Sequence, residues 1–223
     1  MNLRDIDTVW INLDEATENA KRMEDLFDRL SLSKTHRISA IKKPSPPGTR
    51  PSEVHYVGVG ESHIKCLEFI RDKLPAVIFE DDVEITEAFP LDGEIPDFPE
   101  GTDAIYLGTS HGDNNYEAVD IGGGYAKIKR MLAAHAILYL TPRYVDAVID
   151  IAKKAMYEWK RPFDLGTYSI VENYNVITPH VPWFYQKAAP DALNNWEEIT
   201  RTPLRILGQK SMISTIGPKG MNL

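Results

Sequence analysis

The sequence predicts an α/β fold with a central, mainly parallel sheet flanked by helices. Three observations carry this. Short apolar runs of strand length alternate with helical periodicities through the first half of the chain, as expected of parallel strands joined by crossover helices. One run, Ala76–Phe79, is continuously apolar, as strands covered on both faces are. That run ends in three acids, Glu80, Asp81 and Asp82, and open sheets of this kind hold ligands beyond the carboxyl ends of their strands.

The elements follow in order. Val9, Ile11 and Leu13 alternate with polar or amphipathic neighbours and read as a strand. Ala16, Ala20, Met23, Phe27 and Leu30 then share one helical face, with Glu18, Arg22, Asp25 and Arg29 opposite. His36–Ile41 is a second strand. Residues 42–53, KKPSPPGTRPSE, hold four prolines and read as a surface loop. Gly58 and Gly60 mark a turn, and Ser62 caps a helix whose inward face is Ile64, Leu67 and Ile70, ended by Pro75. Ala76–Phe79 and Ala104–Leu107 are strands. Gly122–Gly124 turn between hairpin strands, and Ala136–Leu140 is a further strand. Thr141 and Pro142 open a helix with a buried stripe running from Val145 to Trp159. Another helix starts near Asp164. Asn175–Thr178 and Trp183–Tyr185 are late strands.

The chain has 223 residues, 43% hydrophobic and 26% charged, an ordinary globular balance. It has no internal repeat or linker and reads as one domain over residues 1–223. Acids outnumber bases 33 to 25, a net charge of −8, which argues against nucleic-acid binding. Cys66 is the only cysteine. An intramolecular disulfide is excluded, a reducing compartment fits, and the thiol reads as a small buried hydrophobe. No apolar run approaches the roughly 18 residues of a membrane span, and the N-terminus has no leader signature. The expectation is a cytoplasmic protein.

The acid cluster is the first candidate site. Three adjacent carboxylates repel, and a divalent cation would relieve that cost. The alternative is a solvated acidic turn. His63, after Ser62 and the glycines, sits at an expected helix start where free N–H groups favour phosphate. A capping serine beside a structural histidine is the competing reading. Asp164 lies at another helix start and reads as a cap or as a functional acid. His111, His135 and His180 are scattered, without zinc spacing.

Several of these segments, taken in order, resemble family 25 glycosyltransferases, the lipopolysaccharide-type and collagen-type galactosyltransferases. The segments are VWINLDEATENAKRM, the Arg37–Ala40 strand, GVGESHIKCLEFI, AVIFEDDV, DAIYLG, AAHAILYLTPRYVDAVI, PFDLG and TPHVPWFYQ. The resemblance covers about residues 9–186, leaving 187–223 as a C-terminal extension. It implies a single GT-A-like, Rossmann-related domain. It also implies a UDP-sugar donor such as UDP-galactose or UDP-glucose, and a divalent metal, Mn²⁺ or Mg²⁺. By carry-over, Asp82 and Asp81 hold the metal, with Asp81 also near the donor ribose, and Glu80 steadies the turn. Asn12, Leu13, Arg22 and Ala40 line the nucleotide, with Ser62 and His63 beside it. Asp164 is the general base of an inverting transfer, and Gln186 supports the site.

Departures from the family pattern fall at Gly60-Glu61 and at His135, which bear on sugar and acceptor more than on fold. The acceptor is a glycan, a protein or a small molecule. The competing functions are a non-catalytic nucleotide-sugar-binding domain of the same fold and a metal-dependent phosphoesterase. The 42–53 loop and the loop after Gly108 are candidate lids.

Overall fold

Strand β1, Asp7–Asn12, lies in the middle of the chain's parallel unit, with β2, Thr35–Ser39, on one side and β3, Ala76–Glu80, on the other. The structure, a computed structural model, describes residues 1–44, 51–109 and 116–187, with the side chains of 51–53 outside the description. Between these strands run α1, Thr17–Leu30, and α2, Pro51–Ile70. The helices cover opposite faces. Met23, Leu26, Phe27 and Leu30 of α1 pack with Trp10, Val77 and Phe79. Ile64, Leu67 and Ile70 of α2 pack with Val9, Ile11 and Ile78. Both faces of β1 and β3 are therefore covered, which is why Ala76–Phe79 is continuously apolar and why Trp10, between Val9 and Ile11, is buried as well. Each fully buried Leu, Ile or Phe contributes about 1.5–3 kcal/mol.

The remaining strands are β4 (Val83–Ile85), β5 (Ala104–Tyr106), β6 (Glu117–Gly122), β7 (Tyr125–Arg130), β8 (Ala136–Tyr139), β9 (Val176–Pro179) and β10 (Phe184–Gln186). The large sheet has eight strands in the order β2-β1-β3-β8-β5-β9-β7-β6. It is parallel across β2-β1-β3 and β5-β9 and antiparallel at its other pairings. Strand β4 pairs with β10 in a separate two-stranded ribbon. Helix α3, Pro142–Lys154, is followed by a π-helical turn, Ala155–Trp159, and by α4, Phe163–Ile170. The fold is α/β, with helices on both faces of a central sheet.

Three local expectations are corrected. Gly58 and Gly60 lie inside α2, so Ser62 is mid-helix and caps nothing. The glycines serve close approach: a Cβ at Gly58 would sit 2.3 Å from the Ile41 carbonyl oxygen, and one at Gly60 would sit 2.2 Å from Met156 Sδ. Thr141 makes no side-chain cap; its hydroxyl donates to Asp103 instead. Trp159 leaves the buried stripe and is exposed, because the π-turn breaks the 3.6-residue period. Residues 45–50 of the proline-rich loop, 110–115 after Gly108 (with His111) and 188–223 lie outside the described residues.

Candidate functional site

The chain leaves β1, passes through α1 to β2 on one side, and returns through α2 to β3 on the other. That reversal sets the carboxyl ends of β1 and β3 side by side, the position where doubly wound sheets bind ligands. Asn12 ends β1 and Glu80 ends β3. The acid turn therefore falls at the topological switch point.

The turn is held from several directions. Arg22 of α1 donates to the carbonyl of Asp81 and, at 2.9 Å, to that of Val83. The amide of Lys187 donates to the Asp82 carbonyl at 2.7 Å. Asn12 Nδ2 donates to Asp81 Oδ2 at 2.6 Å, and Asn19 Nδ2 reaches the same oxygen at 3.3 Å. Arg37, on β2, fixes Asn12 in turn: its Nε and Nη2 donate to Asn12 Oδ1 at 3.0 and 2.9 Å. Ala40 N donates to the Asn12 carbonyl at 2.9 Å. Leu13 follows Asn12, half-buried, at the same edge.

Glu80 points to the α2 side. Buried His63 donates from Nε2 to Glu80 Oε1 at 2.9 Å, and Gln186 Nε2 donates to Glu80 Oε2 at 3.0 Å. Burial works to raise the Glu80 pKa, but the His63 hydrogen bond and attraction outweigh it and hold the carboxyl below the usual range. The His63 ring stacks on Phe163 at 4.3 Å, which joins the turn to the start of α4. Asp164 is the second residue of that helix. Its Oδ1 accepts from Leu165 N at 2.9 Å. Burial raises its pKa, and Glu80 adds to the effect.

Asp82 differs from its neighbours. Its Oδ2 has one long bond, from Gln186 Nε2 at 3.3 Å, and its buried Oδ1 has no hydrogen-bond partner among the described residues. Burial, with repulsion from Glu80 and Asp81, pushes its pKa up to about 7. His135 stands beside the turn, its carbonyl accepting from Glu80 N at 3.0 Å. Both its ring nitrogens are buried and make no hydrogen bond among the described residues, and burial pushes its pKa down to about 4. Its ring fills the space over Gly108, where a Cβ would sit 2.1 Å from Nε2.

The structure thus brings Asn12, Arg22, His63, Glu80, Asp81, Asp82 and Gln186 into one network, with Asp164 joined through Phe163. Leu13 and Ala40 lie on its rim. Ser62 is turned elsewhere: its hydroxyl donates to the Gly58 carbonyl at 2.7 Å and accepts from Ile41 N at 2.8 Å. His63 is correspondingly not at a helix N-terminus, and the phosphate role expected from that position fails with the helix boundary. Sequence reasoning missed Asn19 and the Arg37–Asn12 link. Pairing Arg37 with Trp10 across adjacent strands would have exposed the second.

No family model matches the chain, and no curated protein matches its sequence. Among solved structures, the chain is similar to the CTP:phosphocholine cytidylyltransferase of Streptococcus pneumoniae, at 10% identity and a TM-score of 0.38, over 82% of this chain and 93% of that one. It is also similar to a glycosyltransferase involved in the glycosylation of the major capsid of PBCV-1, at 9% identity and a TM-score of 0.35, over 78% of this chain and 92% of that one. At these values the functional reading rests on the chain's own residues.

Proposed function

We propose that this chain is a family 25-type, GT-A-like glycosyltransferase. It moves a hexose from a uridine diphosphate donor, UDP-galactose or UDP-glucose, to an acceptor hydroxyl with inversion, assisted by a divalent cation. The observation that carries the reading is the buried, unpartnered Oδ1 of Asp82 in an acid turn at the sheet's switch point. A cation suits such an oxygen. Mg²⁺-like ions bind through one or two carboxylates and complete their shell with water and substrate phosphate. Among the described residues no three His, Cys, Asp or Glu side chains gather to hold a metal. Asp82, with Asp81, would therefore supply the protein's share. A manganese or magnesium ion held there supplies Lewis-acid neutralisation of the leaving diphosphate.

The chain's own residues do the rest. Arg22 and the Lys187 amide fix the turn's backbone, so the carboxylates do not rearrange when charge develops. Asn12 and Asn19 anchor one oxygen of Asp81 and set the direction of the other. Asp164 takes the proton from the acceptor hydroxyl. Its raised pKa brings it closer to the working pH, where a general base is most effective. A glycan, protein or small-molecule acceptor would approach from the α4 side.

Thermal melting with UDP, with and without Mn²⁺, tests this. A ligand that binds only the folded state stabilises it by about 2.7 kcal/mol at one hundred times its dissociation constant. The expected result is a Mn²⁺-dependent rise that Asp82→Ala abolishes. Asp164→Asn should keep the rise and lose transfer. No rise with millimolar UDP, with or without metal, overturns the uridine donor.

A further inference from the structure

Eight large hydrophobic side chains are exposed among the described residues, and three of them, Tyr157, Trp159 and Leu165, fall within nine positions of each other. They are 49%, 41% and 36% exposed. Beside them in sequence are Lys153, Lys154, Lys160 and Arg161, all exposed; within residues 153–165 the one exposed acid is Glu158, and Lys153 lies 3.9 Å from Glu68 of α2, which leaves Lys154, Lys160 and Arg161 as the basic edge of the patch. In a chain of net charge −8 this is a local reversal of sign coupled to an aromatic surface.

The backbone explains the patch. A regular helix returns to the core about every fourth residue. Here α3 gives way to the π-turn Ala155–Trp159, and Lys160 then adopts a left-handed conformation at φ 56. After buried Ala155 and Met156, residues 157–161 are all exposed. The excursion is anchored from beneath. Tyr157 donates to Glu61 Oε1 at 2.7 Å, and Tyr56 donates to the Lys160 carbonyl at 3.1 Å. Lys154 Nζ lies 5.7 Å over the Trp159 ring. Exposure is thus fixed by the fold rather than left to a loose end.

We propose that this face docks the protein on an anionic lipid surface. Trp and Tyr favour the headgroup level, where the ring is half apolar and half wet. Each nearby Lys or Arg strengthens attachment to an anionic leaflet about fivefold. The contact proposed is peripheral; no helix among the described residues is long and apolar enough to cross a membrane. Asp164 follows Arg161 by three residues, so docking turns the start of α4 toward the bilayer and suits an acceptor hydroxyl carried on a lipid. The docking does not depend on the donor chemistry, and it is measured without nucleotide.

Sedimentation with vesicles tests it. The full chain is mixed with vesicles of phosphatidylcholine alone, or with about one-third phosphatidylserine. Binding is expected to the anionic vesicles only. The double variant Lys160→Glu/Arg161→Glu should lower partitioning by about 20-fold or more, and Trp159→Ser by several fold. All three side chains are exposed, so folding is checked by unchanged melting. Brominated lipid gives a second readout: in a Trp196→Phe background, which removes the one tryptophan outside the described residues, it should quench tryptophan emission, and adding Trp159→Phe should remove that quenching, since Trp10 and Trp183 are buried. No binding to anionic vesicles at millimolar lipid overturns the proposal. So does binding that survives the charge reversal. Binding lost on charge reversal but untouched by both Trp159→Ser and Leu165→Ser also overturns it, in favour of a polyanion site.

Discussion

Asp103 and Asp82 lie at opposite strand ends of one sheet, before β5 and after β3, and each puts carboxylate oxygen out of reach of water. Asp103 precedes β5 and is fully buried. Its Oδ1 accepts from Thr141 Oγ1 and Arg143 Nε, each at 2.6 Å; its Oδ2 accepts from Arg143 Nη2 at 2.5 Å and Asn175 N at 2.8 Å. Burial opposes ionisation there, but these bonds outweigh it and keep the pKa below the ordinary range. Asp82 has one long bond and an orphaned oxygen, and its pKa is pushed up to about 7. An arginine stands near each. Arg143 gives its guanidinium to the carboxylate, whereas Arg22 spends its own on the carbonyls of Asp81 and Val83. Burial of an acid is therefore no mark of function by itself. The contrast lies in the unmet partners at Asp82, which the same fold supplies in full to Asp103.

The largest effect should come from Asp103→Ala. It strips Thr141, Arg143 and the Asn175 amide of their shared acceptor, and should cost about 3 kcal/mol, read as a lower urea midpoint. The folded pKa is depressed, so this contribution is present above the unfolded value and is lost as pH falls. The gap to wild type should close in acid. Asp82→Asn should act in the opposite direction. The folded pKa is raised, so the ionised side chain costs stability as pH rises toward and past about 7. Removing it should stabilise the ligand-free protein by on the order of 2 kcal/mol at about pH 8, with no gain near pH 4. A variant no more stable than wild type across that range would make Asp82 a structural acid of the Asp103 kind.

Much of this was legible in the chain. The continuous run Ala76–Phe79 marks the central strand, and the acids after it mark the candidate site, because a doubly covered strand leaves ligands only its end. The helix boundary at Ser62 was not legible. Two glycines and a serine spell a turn locally, but α2 needs those glycines to pass close to Ile41 and Met156, a tertiary demand that local propensity cannot carry. Asp103 is inconspicuous in the sequence for the same reason. Its partners lie about forty and seventy positions away, so nothing nearby in sequence distinguishes it from a surface acid. Periodicity alone puts Trp159 in the core, because a 3.6-residue stripe runs straight up to the π-turn that ends it.

The smallest effect sharpens the comparison most. Arg71 and Asp146 form the same two-pronged pair as Arg143 and Asp103, with Nε to Oδ1 at 2.6 Å and Nη2 to Oδ2 at 2.9 Å. Here both side chains are about half exposed. Water already solvates each charge in the unfolded chain and still does so in the folded one, so little is gained by pairing. Arg71→Ala should shift the melting temperature by about one degree or less, and high salt should remove even that. If Arg71→Ala instead cost as much as Asp103→Ala, the two-pronged geometry would set the energy, not burial and partner count. The unmet oxygen of Asp82 would then lose its force as a sign of a ligand. A shift within a degree leaves burial as the variable that separates Asp103 from Asp146, and unmet partners as the one that separates Asp82 from Asp103.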